Sequence, residues 1–384
     1  MRLEPVIADD PREILRGLRG ALHCAGPALG LGLVNDLPAE VRAGTAVVVT
    51  TSGSTGVPKS VILSRDALTA SALATSARIG DGAWLLALPA SYVAGLQVLV
   101  RSIVADREPA WLTGAFTAQA FSAAALMMLS TEHGDRIPTY TSLVPAQLTK
   151  LLDAAADDGT VLAALRSFET ILVGGQAIAA ATLERAQDAG VRVVRTYGST
   201  ETSGGCVYDG KPLRGVSVRI SNGEVLVAGP TLADGYLGDS AATDAAFVHD
   251  DDGRRWYRTG DAGIIEDDLL RVRGRIDNVI VSGGVNVSLD RVERVVRTIP
   301  GLESAVVVGV SDDRWGEASV VVVPRGEALR RSESVQLAEA RTAVAEQIGP
   351  HARPTRLILV DDLATLPSGK PDRETISAAV AALH

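Results

Sequence analysis

Between Val47 and Arg195 short apolar runs alternate with longer segments of helical period, and no other feature of the sequence restricts the fold as much. Val47–Thr50, Trp84–Leu88, Tyr140–Val144, Thr170–Val173 and Val191–Arg195 read as buried strands. Ser64–Ile79, Val93–Val104, Ala118–Ser130 and Ala179–Ala189 read as the helices between them, with Ser64 capping the first. Antiparallel neighbours need only a tight turn, whereas parallel neighbours need a crossover of helical length. The alternation therefore predicts an α/β protein whose large N-terminal domain holds mostly parallel sheets covered by helices. A further helix is expected over residues 11–22.

From about Gly205 the texture changes. Ser217–Ile220, Glu224–Ala228, Gly263–Glu266 and Leu269–Val272 are short runs punctuated by Gly and Asp, which predict a small antiparallel β region. After Arg275 a helix at Ser288–Thr298, strands at Ala305–Val310 and Ser319–Val323 and a helix at Glu333–Ile348 follow. The reading is an N-terminal domain over residues 1–275 and a small mobile C-terminal α/β domain over 276–384, hinged at Arg275–Asp277. A chain of 384 residues is also longer than one small core spans.

Composition removes several function classes. A net charge of −9 gives no basic surface for nucleic acid. No apolar run approaches the ~18 to 20 residues that cross a bilayer. The N-terminus carries acids and prolines where a secretory leader has a basic start and an apolar middle, so no membrane insertion and a cytoplasmic location are expected. Cys24 and Cys206 lack the spacing of a disulfide framework or a zinc site. Lysine occurs only at Lys59, Lys150, Lys211 and Lys370, against 37 basic residues in all. A compact ammonium is not interchangeable with guanidinium, so lysines in an arginine-rich chain are informative. Lys59 and Lys370 stand in segments rich in Gly, Ser, Thr and Pro.

Thr50 to Ser60 reads T-T-S-G-S-T-G-V-P-K-S and directly follows a strand. Small hydroxyl residues and glycines let backbone N–H groups approach an anion, and the lysine adds charge. Gly53 to Ser60 nearly fits the P-loop pattern GxxxxGK[ST], but Pro58 takes the place of the second glycine. Proline removes an N–H that would face phosphate and pushes Val57 out of helical geometry. The next helix cap, Ser64, also comes too late for a P-loop.

Five more segments follow in fixed order: Gly174-Gly175-Gln176, Tyr197-Gly198-Ser199-Thr200-Glu201, Tyr257-Arg258-Thr259-Gly260-Asp261, Gly274-Arg275-Ile276-Asp277 and Pro367-Ser368-Gly369-Lys370. With the loop at Thr50 they resemble the motifs of the adenylate-forming superfamily, from about Val47 to Arg373. That resemblance implies an ATP-dependent acid–thiol ligase, which makes an acyl-adenylate with release of pyrophosphate and then passes the acyl group to CoA. It implies that Thr51, Ser52, Gly53, Ser54, Thr55 and Gly56 cradle phosphate together with Lys59. Gly174, Gly175 and Gln176 would lie beside adenine, with Tyr197 stacking on it and Gly198 next in the same nucleotide-binding segment. Thr200 would touch the α-phosphate, and Glu201 would hold Mg2+, a hard cation that prefers oxygen. Asp261 and Arg275 would bind the ribose, and Lys370 the reacting carboxylate and α-phosphate. Rotation about Asp277 would withdraw Lys370 and bring Ser282, Gly283 and Gly284 to the pantetheine chain of CoA. The implied partner is a small carboxylic acid, and a homodimer is compatible with it.

The window from Pro89 to Arg101 resembles the acyl-pocket segment of o-succinylbenzoate–CoA ligases of menaquinone biosynthesis, P-x-x-H-x-x-G followed six residues later by Arg or Lys. Gly95 and Arg101 fit, and Tyr92 stands at the histidine position. Arg101 lies on an otherwise apolar helix, where an unpaired guanidinium is costly to bury. A second carboxylate on the substrate would supply the partner. Solvent or an internal acid are the alternatives for Arg101. A ligase or carrier-protein loader for another aryl or medium-chain acid, and a non-catalytic nucleotide-binding relative, are the alternatives for the whole chain. The S-G-G-x-N run ending at Asn286 resembles the same subfamily, with Val285 in place of Glu, while Ser60 replaces a glycine and Val281 a lysine. The phosphate loop also begins near residue 50, which implies that part of a sheet covering the site is missing.

Overall fold

The computed structural model describes residues 1–6, 10–32, 38–51, 58–112, 114–325, 332–366 and 369–383. Local rules account for the helix ends. Asp10 accepts from the Arg12 N–H and Pro11 opens the helix Pro11–Leu22, which buries Ile14, Leu15, Leu18 and Ala21 along one stripe. Ser64 Oγ accepts from the Ala67 N–H at 3.1 Å and caps the helix Arg65–Ile79 as its sequence predicts. Val93–Val104 and Ala118–Met127 are helical, as is Ala180–Asp188.

Two sheets form the N-terminal part. In the first, Leu3–Pro5, Ala28–Leu31 and Thr45–Thr51 run parallel, and Lys59–Ser64 and Gly235–Tyr236 extend the sheet antiparallel. In the second, Ala110–Trp111, Ala83–Leu86, Thr139–Leu143, Thr170–Val173 and Val193–Ser199 are parallel neighbours in that order. Gly204–Tyr208 and Lys211–Pro212 close that edge antiparallel. The main core joins both sheets through Val47, Val49, Leu68, Leu96, Leu99, Trp84 and Tyr140. A second core on the other face of the seven-stranded sheet contains Leu85, Phe121, Leu148, Phe168 and Ile171.

An antiparallel sheet of Ser217–Ser221, Glu224–Ala228, Arg255–Glu266, Phe247–His249 and Leu269–Arg275 follows. The C-terminal lobe has its own sheet, Val285–Ser288, Val279–Ser282, Gly316–Pro324 and Val306–Asp312, with Arg356–Val360 parallel to the third of these. The helices Leu289–Val296 and Glu333–Gln347 pack against it through Val292, Val296, Ala340 and Val344.

Two expectations need correction. Lys59 stands in a strand rather than a loop: Lys59–Ser64 pairs with Thr45–Thr51, because the β-branched run after Pro58 has an open edge to join. The short run expected at Gly263–Glu266 is the end of a twelve-residue strand, Arg255–Glu266, whose register shifts between Ala262 and Gly263. Among the described residues no helix is long and apolar enough to cross a membrane.

Candidate active site

The phosphate-loop residues Ser52, Gly53, Ser54, Thr55 and Gly56 lie outside the described residues, but both ends of the loop are defined. Thr51 and Lys59 face each other across the hairpin, and Thr51 Oγ1 donates to the Lys59 carbonyl at 3.3 Å. Thr50 and Ser60 share a hydroxyl hydrogen bond of 2.9 Å. Lys59 Nζ lies 5.0 Å from the centroid of the Tyr236 ring, a cation–π distance. The buried Tyr236 is seated by pairing of Gly235–Tyr236 with Val61 and Ile62, and its hydroxyl donates to Glu201 Oε1 at 2.9 Å. One tyrosine thus joins the lysine to the carboxylate. Burial, with the Glu201 charge beside it, pushes the Tyr236 phenol well above its ordinary value, so it remains a donor.

Glu201 sits in a one-turn 3-10 helix, Thr200–Thr202, at the end of the strand Val193–Ser199. The Ser199 N–H donates to Thr202 Oγ1 at 2.8 Å and closes the turn, leaving Thr200 buried and Glu201 half-buried. Gly198 is exposed just before it. Tyr257, buried alongside, is pushed far up by burial and by the Glu201 charge.

Asp261 lies opposite Arg275 in the sheet register, with 3.5 Å between Oδ1 and Nη1. Tyr197 donates its hydroxyl to Asp261 Oδ2 at 2.6 Å. Burial raises the Asp261 pKa, opposed by the Tyr197 hydrogen bond and Arg275 and reinforced by Asp290 and Asp277. Arg275 also grips Asp277 with two bonds, Nε to Oδ1 at 2.9 Å and Nη2 to Oδ2 at 2.8 Å, and donates to the Thr259 carbonyl at 2.7 Å. Its backbone N–H reaches Asp290 Oδ2 at 2.7 Å, tying the last strand of the antiparallel sheet to the helix Leu289–Val296.

Lys370 comes from the C-terminal lobe. Its side chain is exposed, with neighbouring chain close around the ammonium. Desolvation pushes its ammonium below the ordinary lysine range, while Glu201 and Asp261 pull it back up. The Lys370 stem passes Gly175, whose φ is +83° and where a Cβ would come 3.4 Å from Lys370 Cε. Gly174 and the half-buried Gln176 flank that turn after the strand Thr170–Val173. The structure therefore gathers Lys59, Glu201, Tyr197, Asp261, Gly175 and Lys370 around one cleft. The turn at Ser282, Gly283 and Gly284 is not gathered there: its described contact is to Trp315 of its own lobe, through the Gly283 N–H at 2.8 Å.

Beside the cleft, Leu86–Ala90, Trp111, Phe116, Val144, Gln147 and Gly369 line a recess of ≈ 460 Å³. The helix Val93–Val104 begins at the half-buried Tyr92. Gly95 is dictated by space, since a Cβ there would lie 2.1 Å from the Pro89 carbonyl oxygen. Two turns on, Arg101 is only 6% exposed. Its Nη2 donates to Tyr208 Oη at 3.4 Å, its guanidinium carbon lies 4.8 Å from the Trp84 ring centroid, and its Nε has no partner. Burial pulls its pKa down. Gln97, one turn before, is buried with Oε1 unpartnered and lies against Gly204, three residues past Glu201. Neither solvent nor a described internal acid meets Arg101, so two alternatives left open by the sequence fall away.

The sequence reading missed the part played by Tyr236. Its only local signal is the Gly235-Tyr236 pair before a capped helix, and its link to Glu201 spans 35 residues. Among the described residues no group of three His, Cys, Asp or Glu could hold a metal ion.

A helix-covered sheet domain, an antiparallel sheet and a small lobe that reaches back into the cleft define a class of nucleotide-using enzymes. Residues 34–237 match the family model of the AMP-binding enzyme, and residues 291–370 match that of the AMP-binding enzyme C-terminal domain. The chain belongs to the AMP-binding enzyme family; it is an AMP-forming acid–thiol ligase that uses ATP and CoA. It is 39% identical over 336 residues to the probable 2-succinylbenzoate–CoA ligase of Mycobacterium tuberculosis, covering 86% of this chain and 83% of that one. It is 30% identical to the 2-succinylbenzoate–CoA ligase of Listeria monocytogenes, covering 86% and 69%. Its fold is similar to o-succinylbenzoate CoA synthetase (MenE) from Bacillus subtilis in complex with the acyl-adenylate intermediate, at TM-score 0.72 and 23% identity over 94% of this chain and 80% of that one. The amide bond synthetase McbA from Marinactinospora thermotolerans is similar in fold too, at TM-score 0.74 and 23% identity, covering 99% and 80%.

Proposed function

We propose that the acid is 2-succinylbenzoate, so that the product is its CoA thioester in menaquinone biosynthesis. The substrate carboxylate attacks the α-phosphorus of ATP, the P–O bond to pyrophosphate breaks, and an acyl-adenylate forms. The CoA thiolate then attacks the acyl carbon, and AMP leaves. Lys370 contacts the attacking carboxylate and the α-phosphate, Thr200 the same phosphate, and Lys59 with the Thr51–Gly56 loop the departing phosphates. Asp261 and Arg275 hold the ribose, and Tyr197 stacks on adenine between Gly198 and the Gly174–Gln176 turn. Glu201 fits a Mg2+ ligand, because this hard cation takes one or two carboxylates and completes its shell with phosphate and water oxygens, so it needs no three-acid cluster. When bound, the ion neutralises charge on the phosphates. We place the lobe boundary at residues 275/276 with Asp277 as the hinge, and Ser282–Gly284 on the face that meets CoA after rotation.

The observation that carries the substrate is Arg101, a buried cation with one long hydrogen bond and an unpartnered Nε. A remote carboxylate completes that site, whereas a plain fatty or aryl monocarboxylic acid leaves the charge unmatched. The names of the curated relatives support the same acid. The test measures pyrophosphate release over a panel of mono- and dicarboxylic acids with CoA present. A bidentate, charge-assisted contact in a partly dry pocket is worth ~1.5 to 3 kcal/mol, and deleting it strands a substrate charge. Arg101→Ala should therefore lower kcat/KM on 2-succinylbenzoate by ~10² or more and leave a monocarboxylic analogue nearly unchanged. A parent enzyme that prefers the monocarboxylic analogue would overturn this substrate.

A further inference from the structure

Three arginines line a recess that the reaction above does not use. Arg273 comes from the strand Leu269–Arg275, Arg291 and Arg294 from the helix Leu289–Val296, and together they border a cavity of ≈ 300 Å³. Arg291 and Arg294 are three residues apart and so share one helix face. Arg273 precedes Asp277 and the other two follow it, so the recess straddles the junction between the lobes.

Gathering three cations is unfavourable unless something offsets them, and acids are near enough to have done so. They are engaged elsewhere. Asp290 accepts from the Arg275 N–H and from Asn278 Nδ2, both at 2.7 Å. Glu293 accepts from the Val307 N–H at 3.0 Å and pairs with Arg297 at 2.8 Å and Arg373 at 2.6 Å. On the strand, Arg271 pairs with Glu266, but among the described residues no carboxylate pairs with Arg273, Arg291 or Arg294. Backbone carbonyls anchor two of the forks instead: Arg291 Nη2 donates to Gln347 O at 2.9 Å and Arg294 Nη2 to Val272 O at 3.3 Å. Each keeps further N–H donors. Burial lowers the Arg294 pKa and Asp290 opposes it, while the Arg273 and Arg291 charges add to the lowering.

We propose that this recess binds a phosphate-type polyanion, which bridges the two lobes and holds them in the docked arrangement with Lys370 in the cleft. Guanidinium forks match phosphate oxygens two at a time, and three around one recess suit a diphosphate better than a single carboxylate. The reaction supplies inorganic pyrophosphate, and nucleotides carry the same group. Bound there, the anion favours adenylation geometry and slows the step that needs Lys370 withdrawn. This site goes beyond the proposed function, and it survives if the acid proves to be another.

The experiment fills the reaction cleft of the full chain with a non-hydrolysable acyl-adenylate analogue, then titrates pyrophosphate, orthophosphate or adenosine 3′,5′-bisphosphate by calorimetry. The parent should bind one pyrophosphate, more weakly as salt rises. The variant carrying R273Q, R291Q and R294Q should bind at least ~10-fold more weakly, as expected from losing several charge-assisted contacts. Tighter binding of the bisphosphate would assign the site to a nucleotide. Beyond the reversal to ATP that parent and variant share, pyrophosphate should also slow thioester formation from supplied acyl-adenylate in the parent but not in the variant. All three side chains are exposed, so the fold should tolerate the change; should the triple variant unfold, Arg291→Gln alone carries the comparison. Equal binding by parent and variant, or no binding of any of the three anions, overturns the proposal.

Discussion

Arg101→Met should make the ligand-free enzyme more stable while disabling it on its acid. Arg101 is 6% exposed, its one hydrogen bond is 3.4 Å long, and its Nε has no partner. Desolvating a guanidinium costs several kcal/mol. Against that stand the Trp84 ring at 4.8 Å, worth ~0.5 to 2 kcal/mol, and the weak bond to Tyr208. The balance leaves the empty site unfavourable by ~1 to 3 kcal/mol. Methionine keeps most of the unbranched stem and the helix propensity, replaces the guanidinium contact to Trp84 with a sulfur contact, and removes the charge. An unfolding entropy of ~2.1 cal/mol/K per residue gives a chain of 384 residues a midpoint change of ~1.2 °C per kcal/mol, so thermal unfolding without ligand should shift upward by about 1 to 4 °C. The same variant should lose ~10² in kcat/KM on the dicarboxylic acid, the expected exchange of activity for stability. Added 2-succinylbenzoate should raise the midpoint of the parent and not that of the variant. A lower midpoint for the variant, or intact activity on the dicarboxylic acid, would refute the reasoning and make Arg101 an ordinary packing residue.

Lys370→Ala should reduce acyl-adenylate formation by ~10² to 10³-fold, read by pyrophosphate exchange, and leave thioester formation from supplied acyl-adenylate nearly normal. Because desolvation lowers the Lys370 pKa and the charged form is the active one, kcat/KM for adenylation should fall as pH rises through that lowered value, on the acid side of an ordinary lysine. The alkaline limb should be missing from residual activity in Lys370→Arg, whose guanidinium stays charged. Tyr236→Phe keeps the ring beside Lys59 but removes the 2.9 Å bond to Glu201, and should raise the half-saturating Mg2+ concentration by ~10-fold; an unchanged Mg2+ dependence would separate Tyr236 from the metal site.

Much of this was legible in the sequence because local causes acted alone. Thr170–Val173 and Val93–Val104 match their expected bounds, since an apolar run and a 3.6-residue stripe are complete in themselves. Lys59–Ser64 was hidden because proline and lysine open it, and its strand character comes from pairing with Thr45–Thr51. Arg255–Glu266 was hidden by Gly260, Asp261 and Gly263, residues that interrupt a strand pattern and here carry its bend. Pro145–Ala155 and Gly159–Ser167 were not read as helices; their apolar residues gain meaning only from the core on the outer face of the seven-stranded sheet. In the site, Arg101 could be singled out because a charge on an apolar helix demands a reason. The contact of Tyr236 with Glu201 could not, since it depends on how a strand and a turn far apart in sequence meet.

The ≈ 460 Å³ recess beside the cleft takes most of its wall from the N-terminal domain but one piece, Gly369, from the C-terminal lobe. A compound shaped to that recess would therefore recognise an arrangement of two lobes rather than a surface of either. Its affinity would depend on the fraction of molecules with residue 369 in place, and, on the lobe rotation proposed above, inhibitors of this kind would arrest the enzyme at one half of its cycle without resembling any of its substrates.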